Sequence, residues 1–268
     1  MVAAMLNKQT LFGLPAFQRV LELTLPVDDS RELWLKLGHN KFIVGNYSAD
    51  GHFSAWHTKG SGQSRVRTQL IPDCWEFVSF WAKNNDGGVF FIPTQPQGYP
   101  LKEAIAVSDD VAAELDDGTA ESQWQKISEF ALISGLEPAY IIHSGSKSYH
   151  PHWKATEHLP IEKTIYVRQL TCIALDSDTA IANSHQPMRI AGFDRREKGK
   201  EQTLEYWSES RYSYDQLIAG IRAYFAAKNI PFPEDISEER WRIYKKGRRD
   251  GNLDLSILTL PESELYPK

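Results

Sequence analysis

Cysteine is nearly absent: the 268 residues hold only Cys74 and Cys172. The two are far apart and neither belongs to a Cys-x-x-Cys pair, so a four-cysteine zinc site is excluded. Each has apolar neighbours, Trp75 and Phe77 for the first and Leu170 and Ile173 for the second, which favours buried free thiols over a disulfide. Long hydrophobic runs are missing too. No stretch approaches the roughly 20 apolar residues of a membrane-spanning helix, and the N-terminal residues show neither a signal-peptide core nor a cleavage site. The expectation is a cytoplasmic protein with no membrane partner. Positive charge is also in deficit, with 30 Lys and Arg against 35 Asp and Glu. No global positive field therefore announces a nucleic-acid partner. Internal repeats are not visible.

What is present is a hydrophobic fraction of 41%, enough for one large domain or two modest ones to bury a core. Aromatic residues are plentiful, including eight Trp, and rings not used in a core are available for stacking on bases. The basic residues are clustered: Arg65 and Arg67; Arg195, Arg196, Lys198 and Lys200; Lys245, Lys246, Arg248 and Arg249. A local basic groove suffices to bind a strand, because the backbone term depends on the phosphates neutralised locally. A solvated surface is the plainer reading of any one cluster.

Along the chain, Lys41–Tyr47 reads as a strand with a hairpin partner in Gly51–His57. Residues 58–64 are a Gly/Ser loop without Walker spacing. A capping-box pattern, Asp73 to Glu76, opens a helix that buries Phe77, Phe80 and Trp81. Val89–Ile92 is a strand stopped by Pro93. A helix from about Thr119 to Ser134 turns Trp124, Ile127 and Ala131 inward and stops at Gly135. Tyr140–His143 is the next strand. Residues 161–167 begin a helix, while 170–175 read as a strand or as that helix's end. Thr203–Ser208 is a strand preceded by a charged loop. A second capping box, Ser213 to Gln216, starts an amphipathic helix, and a short helix over 238–244 leads to a basic tail. Strands alternating with helices, with hairpins mixed in, predict an α/β or α+β fold around a mixed sheet.

Three stretches carry chemistry. In Val111–Thr119, extended backbone puts Glu114 and Asp116 on one face and Leu115 in the opposite layer, before the chain breaks at Asp117-Gly118. Neighbouring carboxylates raise each other's pKa unless something positive separates them, and a divalent cation is the natural candidate. The alternative is a polar strand end entering a turn. In Ser144–His150, Gly145 frees backbone amides, Ser144 and Ser148 offer hydroxyls, Lys147 supplies a point charge and His150 can donate to a phosphate oxygen. The alternative is a plain Ser/Gly turn with a packed histidine. In the third stretch, Asp178 offers another carboxylate and Arg189, before Ile-Ala-Gly192, a planar fork for sugar or phosphate. Asp176 competes for the same role, since the two acids would share a face of any strand. A surface Asp-Ser-Asp turn is the alternative.

These residues, in this order, resemble the archaeo-eukaryotic primase superfamily, in particular the primase-polymerases of plasmids, phages and mobile elements. The first family motif, two carboxylates one residue apart on a strand, is matched by Glu114-Leu115-Asp116. The second, Ser-Gly-x-Lys-x-x-His, is matched by Ser144, Gly145, Lys147 and His150. The third, an acid followed by Arg-x-x-Gly, is matched by Asp178 and Arg189 to Gly192. The resemblance spans about residues 89–195. Ala191 stands where this branch usually has Pro, and the zinc module of some relatives has no counterpart in two isolated cysteines.

The resemblance implies an RRM-like catalytic core over about 89–210, packed against an N-terminal α/β module over about 1–88, with a C-terminal helical extension over 211–268. It implies template-directed nucleotidyl transfer in DNA replication. Glu114, Asp116 and Asp178 would hold two Mg²⁺ or Mn²⁺ ions. Ser144, Gly145, Lys147, Ser148, His150 and Arg189 would bind the nucleotide. Its partners would be a single-stranded DNA template, an NTP or dNTP, and a helicase present as a domain or a separate protein. A non-catalytic DNA-binding module on the same fold, or a metal-dependent nuclease using the same acids, stays open.

Overall fold

The computed structural model describes residues 41–44, 46–47, 53–54, 70–72, 89–94, 102–195, 199–208 and 210–265. The helix expected from Asp73, the loop over 58–64, Cys74, Arg65, Arg67, Arg196 and Lys198 lie outside the described residues, as does most of the expected N-terminal module. The chain forms β1 (Lys41–Val44), β2 (Asn46–Tyr47), β3 (Phe53–Ser54), β4 (Leu70–Pro72), β5 (Val89–Phe91) and β6 (Val107–Ala112). Next come α1 (Ala120–Ser134), β7 (Tyr140–His143), β8 (Tyr149–Pro160) and α2 (Ile161–Leu175). The remainder is β9 (Met188–Arg189), β10 (Phe193–Arg195), β11 (Lys200–Trp207), β12 (Arg211–Tyr212), α3 (Tyr214–Ala227) and α4 (Glu238–Asp250). The fold is α+β. No described helix is long and apolar enough to cross a membrane.

The middle of the chain is a split β-α-β unit. β8 lies between β6 and β7 and runs antiparallel to both, so β6 and β7 are parallel with α1 as their crossover. β11 and then β10 extend the sheet beyond β7, while β12 pairs in parallel with the middle of β8 at Lys154 and Ala155. A second, antiparallel sheet has the order β4–β1–β5–β9.

Local chemistry sets the helix ends. Thr119 caps α1 in a reciprocal box with Ser122, and Gly135 ends it in the left-handed conformation, φ 70°. Ser213 and Gln216 make the same box on α3. On α3, Gly220 allows a close crossing: a Cβ there would come within 2.7 Å of the Leu136 side chain and the Ser134 carbonyl. α3 thereby belongs to the same hydrophobic core as α1, α2 and the central sheet.

Residues 161–175 form one helix, so of the two readings of 170–175 the helix end holds and the strand does not; every position from Val167 to Leu175 is buried, so no one-sided periodicity separates the two. Two expectations are corrected. The last helix does not stop at 244 but continues to Asp250. Its apolar pattern ends at Tyr244, and the basic residues beyond it suit a helix C-terminus. The charged loop before Gln202 becomes a hairpin in which β11 starts at Lys200.

The two faces of the central sheet differ. On one, the Phe130 and Trp124 rings of α1 meet Trp153 and Tyr149 edge-on at 5.4 Å. On the other, alternate positions bring together Asp110, Tyr140, His152 and Lys154, and Phe91 of the second sheet stacks on His152 at 5.8 Å. Asp110 is completely buried, and its carboxylate accepts from the Tyr140 hydroxyl and from His152 Nδ1, both at 2.9 Å. Lys154 Nζ stands 3.7 Å from Asp110 and bonds Asp109 at 2.8 Å, while Arg168 donates to the Asp110 carbonyl. Burial pushes the His152 pKa down against the pull of Asp110, so the ring is neutral and its proton sits on Nδ1, facing an acceptor-only carboxylate. A buried carboxylate is tolerated only with such partners. Asp110→Ala removes the acceptor of both the Tyr140 hydroxyl and His152 Nδ1 and leaves Lys154 only Asp109, and should cost about 3–5 kcal/mol in denaturant unfolding. Asp110→Asn, which keeps an acceptor, should cost clearly less.

Candidate active site

β6 does not end cleanly at Ala112. Ala113 donates to the Pro151 carbonyl at 3.1 Å, and Leu115 and Tyr149 exchange both backbone bonds, at 2.9 and 3.1 Å. The extended register sends Leu115 into the core and turns Glu114 and Asp116 to the opposite face, towards β8. Gln123, buried on α1, fastens this end of the strand: its amide donates to the Asp117 carbonyl and its oxygen accepts from the Tyr149 N–H. Nothing in the sequence pattern marks Gln123 except that a polar residue occupies the helix's inner face.

The β7–β8 turn is closed by the Ser144 N–H on the Ser148 carbonyl at 2.9 Å and by the Ser148 N–H on the Ser144 hydroxyl at 3.2 Å. Gly145 sits at φ 69°, a left-handed position that favours glycine. Lys147 projects into solvent with its Nζ 3.6 Å from Asp116. His150 is buried, with Nε2 3.4 Å from Glu114 and Nδ1 without a hydrogen bond among the described residues.

Asp178 joins them through the backbone, its N–H donating to the Glu114 carbonyl at 2.8 Å. Its carboxylate caps the short turn Thr179–Ala182 through the Ala180 N–H. Asp176, expected to share a face with it, does not. The segment is a helix end followed by a turn, and Asp176 at the left-handed C-cap of α2 is directed to Arg248 at 2.9 Å and Lys126 at 3.6 Å. Arg189 on β9 lies over the Phe90 ring at 4.1 Å and donates to Gln202 at 3.3 Å. Gln202 in turn bonds the Ile190 carbonyl.

Glu114, Asp178, Ser144, Ser148, His150 and Arg189 therefore line one cleft of about 190 Å³, together with Phe90, Gln186 and Pro187. The last three carry no sequence signal, since only the pairing of β5 with β9 brings them there. The charges in the cleft are coupled. Burial opposes ionisation of Glu114, but His150, Arg189 and Lys147 outweigh it and hold its carboxyl below the usual range. Burial raises the Asp178 carboxyl, and Glu114 and Asp116 raise it further against the pull of the Ala180 N–H. Among the described residues, no group of three or more His, Cys, Asp or Glu side chains is placed to hold a metal ion.

No family model matches the chain, and no curated protein matches its sequence. Solved structures do match. The AEP domain of the cyanophage S-2L primase-polymerase superposes with a TM-score of 0.57 at 17% identity, covering 72% of this chain and 97% of that one. The catalytic domain of primase RepB′, solved in complex with initiator DNA, superposes with a TM-score of 0.52 at 14% identity, covering 76% and 97%. The chain has the archaeo-eukaryotic primase fold. On this primase fold the acidic strand and the Ser/Lys/His turn are neighbours across one pair of strands.

The two carboxyls predict opposite pH effects in metal-free protein. Glu114, held low, contributes stability above its ordinary pKa that is lost as pH falls through the lowered folded value. Asp178, held high, is neutral in both states in acid and costs stability as pH rises from its ordinary pKa through the raised one. Thermal unfolding in EDTA should therefore find Glu114→Gln less stable than wild type at pH 7. Asp178→Asn, which keeps the cap, should be more stable at pH 7, with its advantage gone in acid.

Proposed function

We propose that the chain is a primase-polymerase performing template-directed nucleotidyl transfer in DNA replication. The observation that carries this reading is the convergence of Glu114 and Asp178 with Ser144, Ser148 and His150 in one cleft, on a primase fold. Bare clustered acids would suit a nuclease equally well. The phosphate cradle opposite them is what a nuclease does not need.

The donor set fits the divalent metal implied by the fold. Glu114, Asp116 and Asp178 offer only carboxylate oxygen, the ligand type of Mg²⁺ and Mn²⁺, and a cation would offset both the burial that chiefly raises Asp178 and the repulsion from Glu114 and Asp116 that adds to it. Mg²⁺ is commonly bound through one or two carboxylates plus substrate phosphates, so its binding would not require three protein acids in place beforehand. When bound, such ions lower the pKa of the attacking 3′-hydroxyl and neutralise charge on the leaving pyrophosphate.

The chain's own residues hold the triphosphate in line. Lys147 contributes charge, Ser144 and Ser148 contribute hydroxyls, and the Gly145 turn lets backbone approach. His150 brings a buried imidazole whose Nε2 lies 3.4 Å from Glu114 and whose Nδ1 has no hydrogen-bond partner among the described residues, an arrangement that a phosphate oxygen would satisfy. Arg189, already braced on Phe90 and Gln202, has its fork at the same cleft for sugar or phosphate. A single-stranded DNA template bound through local basic clusters would dissociate steeply with salt.

Incubation with single-stranded template, labelled NTPs or dNTPs and Mg²⁺ or Mn²⁺ tests the reading. De novo product is expected, and it should vanish in Glu114→Ala/Asp116→Ala. Lys147→Ala and His150→Ala should each raise KM for the nucleotide about 10- to 100-fold, the worth of a charge-assisted hydrogen bond. Extension of a supplied primer alone restricts the protein to polymerase activity. Degraded template would establish a nuclease, and DNA binding without turnover a non-catalytic module; either overturns the proposal.

A further inference from the structure

Arg248, near the end of α4, reaches two turns at once. Its Nη2 donates to the Asp117 carboxylate at 2.9 Å, and its Nε donates to the Asp176 carboxylate at 2.9 Å. Nη2 also reaches the Asp176 carbonyl at 3.0 Å. Asp117 follows Asp116 directly, and Asp176 stands two residues before Asp178. Between the segments carrying these acids, a direct backbone link is the Asp178 N–H bond to the Glu114 carbonyl. Arg248 adds a second tie from outside the cleft.

We propose that Arg248 is a positioning residue for the acidic cluster, holding the turn after Asp116 and the turn before Asp178 at a fixed separation. The inference rests on the reading of Glu114, Asp116 and Asp178 as metal ligands. Three features support it. Asp176 is a non-glycine residue at φ 50°, a conformation costing about 1 kcal/mol, and Arg248 holds both its carbonyl and its carboxylate. The platform is firm: Trp241 and Tyr244 of α4 are buried and stacked at 5.0 Å, and Arg240 donates to the carbonyls of Ile257 and Leu260. Gly247 packs so closely that a Cβ there would lie 3.2 Å from Leu253.

Charge gives the third feature. Asp117 and Asp176 add two carboxylates beside an already repulsive trio, and a guanidinium between them offsets both. Arginine stays protonated at any working pH, and its planar fork serves two turns where an ammonium is a point charge. Stability cannot be its main contribution, because Asp117 and Asp176 are largely exposed and such pairs are worth about 0–1 kcal/mol. Groups that orient metal ligands, in contrast, typically change metal affinity about 10- to 100-fold when removed.

The test is Mn²⁺ binding without turnover, followed by electron paramagnetic resonance in the presence of a non-hydrolysable nucleoside triphosphate. Wild type, Arg248→Ala, Arg248→Lys and Asp178→Asn are compared, with thermal unfolding measured alongside. Arg248→Ala should weaken Mn²⁺ at least about tenfold, Arg248→Lys should recover only part of it, and both should unfold within a few degrees of wild type. Activity of Arg248→Ala should return at high Mn²⁺ with KM for the nucleotide little changed. Wild-type Mn²⁺ affinity in Arg248→Ala, or a loss that only follows loss of folding, overturns the inference and leaves the functional reading standing. Equal Mn²⁺ binding by wild type and Asp178→Asn brings down the metal-ligand reading and this inference with it.

Discussion

The backbone bonds that join Ala113 to Pro151 and Leu115 to Tyr149 keep β6 paired with β8 past its regular end. That register decides the chemistry of the cleft. A slip of one residue would turn Glu114 and Asp116 into the core and bring Leu115 to the surface. With the register held, Glu114 faces His150 and Asp116 faces Lys147, each acid opposite a basic group of the Ser144–His150 stretch. The pairing is itself secured from both sides, by Gln123 of α1 and by the anchoring of Leu115 in the core.

Concentrating carboxylates costs stability, and the surrounding structure absorbs that cost. Beneath the cleft, the buried Asp110 carboxylate is held by the Tyr140 hydroxyl, His152 and Lys154, and its carbonyl by Arg168, in a polar layer between the two sheets. Moving Asp110 would break several of these bonds at once. Around the cleft, His150, Lys147 and Arg189 offset Glu114, while Asp178 stays under repulsion. Clustered like charges of this kind lower stability and favour any cation that enters the cleft.

Much of the layout was legible in local pattern. The Thr119 cap, the Gly135 stop and the inward Trp124 and Ile127 are short-range signals, and α1 follows them. The Ser213–Gln216 box likewise starts α3. Signals failed where burial is uniform or absent. The run from Val167 to Leu175 is enclosed on nearly every side and so shows no helical face, and the basic end of α4 has no apolar stripe left after Tyr244. The site residues found in the sequence carry unusual chemistry at short spacing, as in Glu114-x-Asp116 and Ser144 to His150. Those passed over, Phe90, Gln123, Gln186 and Gln202, are ordinary residues made important by neighbours distant in the chain.

By itself the sequence determined which chemistry is on offer: two acids on one side of a strand, a Ser/Gly/Lys/His turn after another strand, and an acid and an arginine further on. Alternation along extended backbone and the conformational freedom of Gly145 suffice for that, because both act within a few residues. Only the tertiary structure decided between Asp176 and Asp178 as the neighbour of Glu114, placed Arg189 on Phe90 and brought Arg248 to the back of the acidic cluster. Those choices depend on strand order, a helix C-cap and the docking of α4. All are settled by contacts between segments that the chain itself keeps far apart.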